Sequence, residues 1–354
     1  YKNDLFLNDE NNMLYDTTYY NQWLFRPEVR TTVSINNDKL TAGIGLNYET
    51  LDRTFFDSIL RFNSQYVFVQ HDYNPSEKWN ILAGFRYDHH SEYASQLSPK
   101  LALNYKVNTN FSLKTSVGYG YKAPDFRQLY FDFTNPSVGY TVLGYNVAEE
   151  RLIQMQNQIL KIEAGISFDK PLEAESALNF NFGTFYKKDK FKLDINAFYN
   201  SITNLIDTQV VASKKSGQNV FSYTNISEIF TYGLEYNSIY TFTKYFSLSL
   251  GYQYLIAKDK SVVDDFSSHK FVRPLGSLET IEIKKSDYFG LLNRSKHTAN
   301  IKVLYNVPKI KTDINLRVFY RSKYGLFDTN GNQVLDAYDE FVDGYFLTNL
   351  SITK

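Results

Sequence analysis

The chain has 354 residues with 38 basic and 38 acidic side chains, no Cys, and 30 Tyr beside 28 Phe; its mean hydropathy is −0.39. Zero net charge argues against a nucleic-acid binder, which normally carries a basic excess, and the lack of Cys removes disulfide frameworks, thiolate metal sites and Cys nucleophiles. No run approaches the roughly 18 apolar residues of a spanning helix, and a start at Tyr1 without initiator Met or secretory leader reads as part of a longer product.

Aromatic richness with few Met and Pro suits pleated sheet, where flat and β-branched side chains pack against cross-strand neighbours. Period-2 alternation is indeed the dominant signal along the chain. It is moderate over residues 23–35, 40–49 and 64–73, then strict from Trp79. There Trp79, Ile81, Ala83, Phe85 and Tyr87 oppose Asn80, Leu82, Gly84, Arg86 and Asp88, and only Leu82 breaks the rule. Leu97, Pro99, Leu101, Leu103, Tyr105 and Val107 oppose Ser98, Lys100, Ala102, Asn104 and Lys106. Next, Phe111, Leu113, Thr115, Val117, Tyr119 and Tyr121 oppose Ser112, Lys114, Ser116, Gly118, Gly120 and Lys122. The habit recurs over 178–186, 191–200, 229–242, 246–254, 297–307, 314–321 and 345–353, which predicts about thirteen strands, most of them near ten residues. Soluble sheets have a mode of about five or six.

Short turns fall near 36–38, 74–78, 108–110, 187–190, 243–244 and 308–309, and long links near 50–63, 89–96, 122–176, 208–228, 258–296 and 325–344. Short and long alternate throughout, so an up-and-down antiparallel sheet has all its short turns at one end. That pattern predicts an all-β class: a transmembrane antiparallel up-and-down β-barrel. Its apolar face meets lipid, and its backbone groups are satisfied between strands. Lys100, Lys114, Asp194, Asn196 and Arg317 then face the lumen. A soluble β-sandwich also alternates, but its oily face is thick with Leu, Ile and Val and its loops do not sort by length. Within the largest outer link, Leu152, Met155, Ile159 and Ile162 fall at helical spacing, which predicts a short helix inside Glu149–Gly165.

"SPKLALNY" (Ser98–Tyr105), followed by "SLKTSVGYGYKAPDFRQLYF" (Ser112–Phe131), resembles the barrel of TonB-dependent outer-membrane receptors. In these a strand ending in Tyr/Phe-Arg-Ala-Pro leads into a large extracellular loop. "INAFYNSITNLID", "YTNISEIFTYGLEYNSIYTFTKYFSLSLGYQYL" and "YFGLLNRSKHTANIKVLY" add to the likeness, and the Asn, Tyr and Lys content is similar to receptors of Bacteroidetes. The resemblance implies a 22-stranded barrel, of which residues 1–354 form one partial barrel domain. The plug domain, the TonB box, about seven leading strands and two trailing ones are expected outside this sequence. It also implies import of a scarce solute (iron chelate, haem or cobalamin), with the TonB complex and outer-membrane lipids as partners. Competing expectations are a passive porin-like channel and a barrel that docks a surface lipoprotein.

No catalytic set is evident and no catalytic cofactor is expected. The five His are scattered, and neither a phosphate loop nor a Ser elbow occurs. An outer-membrane enzyme with a rim Ser/His pair is the enzymatic alternative. In the haem-receptor branch a His lies between the first box and an Asn-Pro-Asn-Leu box. Here Tyr121-Lys122-Ala123-Pro124 matches the first with Lys for Arg, the second is degraded to Tyr145-Asn146-Val147-Ala148, and no His lies between. His89 and His90, at the outer end of a strand, are the substitute iron ligands, with an exposed loop pair as the plain alternative.

Phe126, Tyr130, Phe131, Phe133, Tyr140 and Tyr145 are candidates for a ligand-contacting surface, against burial between neighbouring loops, and Asp125 and Arg127 look like loop-fixing polar groups. In "DTNGNQVLDAYDE", Asp328, Asn330, Asn332, Val334 (carbonyl), Asp336 and Asp339 occupy positions 1, 3, 5, 7, 9 and 12 of an EF-hand-type spacing. A hard cation collects about six to eight oxygens in such a loop. Gly331 at position 4, Gln333 at 6 and Asp rather than Glu at 12 depart from it. The expectation is a structural calcium that stiffens an outer loop, against a solvated Asx-turn loop.

Overall fold

The computed structural model describes residues 2–7, 14–332 and 334–354. The wall opens with β1 (Lys2–Leu7), paired to the first part of β2 (Leu14–Phe25). The rest of β2, and then β3 (Glu28–Ile35), run along β4 (Asp38–Arg53). The break between β2 and β3 falls at Pro27, which has no N–H for the ladder, although its carbonyl accepts from Leu46 N at 3.1 Å. Next come β5 (Leu60–Ser76), β6 (Trp79–His90), β7 (Gln96–Lys106) and β8 (Phe111–Lys122). The long segment that follows contains α1 (Phe126–Tyr130), β9 (Asp132–Thr134), β10 (Thr141–Leu143), α2 (Tyr145–Gln154) and β11 (Ile159–Ile162). The wall resumes with β12 (Glu175–Lys188), β13 (Phe191–Lys214), β14 (Asn219–Thr243) and β15 (Phe246–Asp259). Beyond α3 (Lys260–Asp264), β16 (Phe271–Val272) and β17 (Ile281–Glu282) stand β18 (His297–Val307) and β19 (Thr312–Arg321). After β20 (Tyr324–Phe327) and β21 (Glu340–Val342) the chain ends on β22 (Tyr345–Thr353).

Every wall strand pairs antiparallel with its neighbours, and all thirteen alternating stretches are strands. Among the described residues the wall adds β1 and the first part of β2, and the stretch over 23–35 is divided between β2 and β3. Among the described residues β22 pairs with β19 alone and β3 with β4 alone.

The lipid-facing rows end in aromatic belts. At the short-turn end Tyr186, Phe191, Tyr240, Phe242, Phe246 and Tyr305 form a chain of ring contacts at 4.6–6.5 Å, and Trp79 meets Tyr105 at 4.5 Å. At the other end Tyr252 and Tyr254 pack on His297, and Tyr320 on Phe346. At ~3.3 Å per residue, Phe246 to Tyr254 spans about 26 Å along β15, or about 20 Å in height after a ~40° tilt. That suits an apolar band of about 25 Å between interfacial rings. Exposed Val29, Ile44, Phe85, Phe182 and Leu350 fill the band.

Three expectations are corrected. The predicted loop over 208–228 is mostly strand, because β13 and β14 run on to a four-residue turn at 215–218 and rise well beyond the wall. The link at 50–63 shrinks to 54–59 for the same reason. The helix expected inside Glu149–Gly165 lies earlier, at Tyr145–Gln154. Leu152 and Met155 are buried beneath it, whereas Ile159–Ile162 forms a strand against Ala212–Lys214.

Candidate functional site

The inner face of the wall is a polar ladder. The Tyr66 hydroxyl donates to Glu28 Oε2 at 2.8 Å, and the Arg86 guanidinium lies 3.7 Å from the Tyr66 ring centre. Arg86 also forks Asp88, with Nε–Oδ2 at 2.8 Å and Nη2–Oδ1 at 2.7 Å. Gly45 leaves room for the Tyr66 ring, which a Cβ there would overlap. Farther round, Lys114 pairs with Asp194 at 3.2 Å. Asn196 donates to Asn181 Oδ1 at 3.3 Å and Glu235 Oε2 at 3.4 Å, and Gln253 donates to Glu235 Oε1 at 3.1 Å. The i, i+2 spacing of Arg86 and Asp88 on one face is the sequence signal for this ladder, and it is easily passed over.

Above the wall the outer segments fold into two lobes. In the first, β13 parts from β12 near Asn204, a residue in left-handed conformation (φ 57°) beside a bulge, and β14 meets β15 only from Ile229 on. The protruding hairpin gains β10 in parallel on its β14 edge, β9 beyond that, and β11 on its β13 edge. Leu143, Ala148, Leu152, Met155, Val211, Ala212 and Val220 form a core between α2 and this sheet. Lys214, 5% exposed, donates to Gly139 O at 2.7 Å and Thr141 Oγ1 at 2.8 Å and ties the hairpin tip to the β9–β10 turn.

Pro124 stops β8, and Asp125 begins α1 with a capping box to Gln128. Asp125 and Arg127 thus act separately, since the Arg127 guanidinium stands over Phe131 at 5.0 Å and Tyr223 at 6.0 Å. Gly144 permits the backbone of the α1–β9 junction to pass so close that a Cβ would meet Phe131 N at 2.5 Å.

The aromatic candidates separate by burial. Phe126 and Phe131 are each 6% exposed. Phe126 stacks on Phe62 at 3.8 Å within a core that includes Leu51, Leu129, Leu172, Ile206 and Tyr223. Phe131 sits among Phe55, Phe56 and Phe133. These two hold the rim together. Tyr130 donates to Glu92 Oε2 at 2.6 Å, and burial, with that carboxylate, pushes its phenol up to about 12. Tyr145 packs on Phe168 and donates to Lys170 O at 2.5 Å.

Tyr140 is half-buried and lines a cleft of about 600 Å³ with Arg127, Phe221, Thr208, Gln218 and Asn219. Tyr145 also keeps an open face, in a polar cleft of about 540 Å³ with Asp169, Lys170, Glu173 and Asn225.

His89 and His90 do not converge. Neighbours on a strand point to opposite faces; His89 is exposed with Nδ1 3.0 Å from Ser95 Oγ, while His90 is buried and stacked on Tyr93 at 3.9 Å. Its Nδ1 accepts from Glu92 N at 3.1 Å. The two rings therefore do not form one iron site. Tyr121, grouped by alternation with the lipid-facing row, instead lies beside Asp88 and Tyr93. The β7–β8 ladder begins at Lys100–Gly118, just past Pro99, whose missing N–H leaves the top of β8 without that neighbour.

The second lobe joins the segments 260–296 and 322–344 through Val262, Val272, Ile283, Tyr288, Val334 and Leu335. The EF-hand-spaced residues lie in it. Asp328 Oδ1 accepts from Gly331 N at 2.7 Å, Asn330 Oδ1 from Asn332 N at 3.1 Å and Asn332 Oδ1 from Val334 N at 2.9 Å. Asp336 Oδ1 accepts from Tyr338 N at 2.7 Å, and Asp339 accepts from Thr329 N at 2.9 Å and Asp336 N at 2.8 Å. Gln333 lies outside the described residues. The oxygens that the spacing offers to a cation thus close Asx-type turns. Burial, with Asp339 and Asp328 beside it, disfavours the charged form of Asp336, and among the described residues no group of three or more His, Asp and Glu gathers as a metal site.

The family described as "TonB dependent receptor-like, beta-barrel" matches residues 1–354. The ferrienterobactin receptor of Escherichia coli (strain K12) is 24% identical over 200 residues, 55% of this chain and 24% of its own length. The vitamin B12 transporter BtuB of Vibrio cholerae serotype O1 is 28% identical over 153 residues, 43% of this chain and 19% of its own. Among solved structures, a ferric enterobactin receptor mutant from Pseudomonas aeruginosa in complex with enterobactin superposes with a TM-score of 0.66 and 17% identity, over 97% of this chain and 48% of that one. The siderophore receptor PirA from Acinetobacter baumannii gives 0.64 and 14%, over 98% and 50%. At these identities the structural likeness shows the fold alone. The chain spans 19–24% of the length of these curated relatives and about half of the solved chains.

Proposed function

This chain belongs to the TonB-dependent receptor β-barrel family and lies in the outer membrane, and we propose that it forms the loop-bearing wall of an importer for a scarce solute. The observation that supports this is the division of the molecule: a lipid-facing band, a polar inner ladder, and two packed lobes standing on one rim. A wall with loose loops would suit a passive pore; lobes with their own cores give a rigid mouth able to select.

The solute class is an iron chelate, haem or cobalamin. Within it we favour a ferric chelate, because His89 and His90 face apart and relatives include a ferrienterobactin receptor. The Arg127–Tyr140–Phe221 cleft supplies a cation beside aromatic faces, suited to an anionic chelate. Tyr145 and Tyr130 border the same lobe and Phe126, Phe131 and His90 serve as its supports, whereas His89 lies apart, in an outward groove with Ile44, Val67 and Tyr87. No step in this role makes or breaks a covalent bond. Energy would come from the TonB complex through a plug and TonB box, and a calcium held by Asp328, Asn330, Asn332, Val334, Asp336 and Asp339 would stiffen the second lobe.

Uptake of radiolabelled ferric enterobactin, haem and cyanocobalamin by cells carrying the full-length receptor tests the proposal. Accumulation of one of them that stops when TonB is deleted is expected. Equal uptake without TonB would favour the passive channel, and co-purification of a surface lipoprotein without any uptake would favour the docking role.

A further inference from the structure

The β13–β14 hairpin separates two clefts of the first lobe. Thr208 lines the Arg127–Tyr140 cleft, and its neighbour Gln209, on the opposite face of the strand, lines the polar cleft of Tyr145. On the Thr208 face, Ile206 and Tyr223 pack with Leu51 and Phe62. Leu51 and Phe62 continue the inner rows of Gly45 and Tyr66 along β4 and β5. The Thr208 face is therefore turned to the lumen, and the Gln209 face is turned away from it. Solute held in the first cleft does not reach the second.

The walls of the polar cleft are held by their own hydrogen bonds. Asn225 Oδ1 accepts from Glu173 N at 2.9 Å, while its Nδ2 donates to Glu173 O at 3.0 Å and Asn204 O at 2.8 Å. The half-buried Tyr145 ring meets Phe168 edge to face at 5.1 Å, and its hydroxyl donates to Lys170 O. Thr224 Oγ1 donates to Gln209 Oε1 at 3.0 Å, Ser167 Oγ to Asp169 Oδ2 at 2.7 Å and Asn204 Nδ2 to Glu173 Oε2 at 2.6 Å. Among the described residues Asp169 Oδ1, Glu173 Oε1 and Gln209 Nε2 have no partner, and the three side chains are exposed. The charged groups lining the cleft are the carboxylates of Asp169 and Glu173 against the ammonium of Lys170, a balance that disfavours the anionic chelate suited to the first cleft.

A sugar ring has an apolar face of C–H groups and an edge of hydroxyls, each of which donates and accepts at once. An aromatic face beside free carboxylate oxygens and a free amide N–H complements both parts, in the manner of a pocket whose few placed polar groups fix orientation. Bonds from a hydroxyl to an ionised acceptor are the stronger kind. We propose that Tyr145, Asp169, Glu173 and Gln209 form a binding site for a neutral oligosaccharide on the side of the first lobe turned away from the lumen. Tyr145 carries the ring face, Asp169 and Glu173 accept from hydroxyls, and Gln209 donates to a hydroxyl oxygen. The inference goes beyond the import reading and does not rest on which solute is carried.

The test uses the full-length receptor in a sugar-free detergent, dodecyldimethylamine oxide, with saturation-transfer NMR on maltotriose, mannotriose and xylotriose, and citrate as an anionic competitor. Saturation transfer to at least one trisaccharide is expected, and citrate at equal concentration should not displace it. The dissociation constant of the bound sugar should rise about tenfold in each of Asp169→Asn, Gln209→Ala and Tyr145→Ala. Transfer to none of the three sugars, or parent-like binding by Asp169→Asn and Gln209→Ala, overturns the site. Full displacement by citrate overturns the neutral sugar as its occupant. Asp169 and Gln209 are exposed, so their replacement spares the fold, and heat-modifiable gel mobility verifies this for every variant. Solute uptake by cells carrying Asp169→Asn should match the parent, so this inference and the import proposal can each fail while the other stands.

Discussion

Phe126→Ala asks whether the rings after Pro124 hold the first lobe or await a ligand. Phe126 is 6% exposed, stacked on Phe62 at 3.8 Å, and shares a core with Leu129 of α1, Leu172, Ile206 and Tyr223. Truncating a buried Phe costs about 3–5 kcal/mol, of which the ring pair accounts for about 0.5–1.5. The core lies at a rim and has room to relax, so the lower end applies. About 3 kcal/mol raises the population of an opened lobe about a hundredfold, at 1.4 kcal/mol per decade. Hydrogen exchange on the full-length receptor in detergent should therefore show amides of α1, α2 and the β13–β14 tip losing about two decades of protection. Residues 191–202, laddered to β12, should be unchanged. Unaltered protection in α1 together with weakened solute binding would refute the packing role and return Phe126 to the ligand surface. Equal loss throughout the wall would refute the lobe as a separable unit.

Gly45→Val should push the Tyr66 ring off the inner ladder and cost about 1–3 kcal/mol by overpacking, read as a lower midpoint in heat-modifiable gel mobility; a parent-like midpoint would sink it. If the EF-hand-spaced loop takes calcium, EDTA should speed limited proteolysis within 322–344 and calcium, not magnesium, should restore resistance, whereas no change removes the ion. Burial, with Asp339 and Asp328 beside it, holds the Asp336 carboxyl above the usual carboxylate range. A raised folded value favours the protonated form, so its contribution to docking is full below the ordinary value of ~3.9 and lost as pH rises through the folded one. In EDTA, loop proteolysis should consequently slow as pH falls through that window, and Asp336→Asn should abolish the dependence; faster cleavage at low pH would contradict the sign.

How far local pattern reached is visible in three places. The wall was legible because a pleated strand sends successive side chains to opposite faces, and a bilayer forces each face to one chemistry; Trp79–Asp88 displays this with a single exception. The same rule, applied to adjacent His89 and His90, already separates them. By contrast, Leu152, Met155, Ile159 and Ile162 keep helical spacing throughout, yet only the first pair is buried beneath a helix. The second pair became strand because the free edge of β13 at Ala212–Lys214 was there to receive it.

The sequence by itself determined the membrane wall, its two faces and the end that carries the long links, since these follow from period, turn chemistry and loop length within a few residues of each position. Tertiary structure alone decided which outer rings are supports and which stay open, and that 208–228 would rise as a hairpin and gather strands from 132–162. These outcomes depend on contacts between segments tens of residues apart. No local pattern records which partner a loop residue will find.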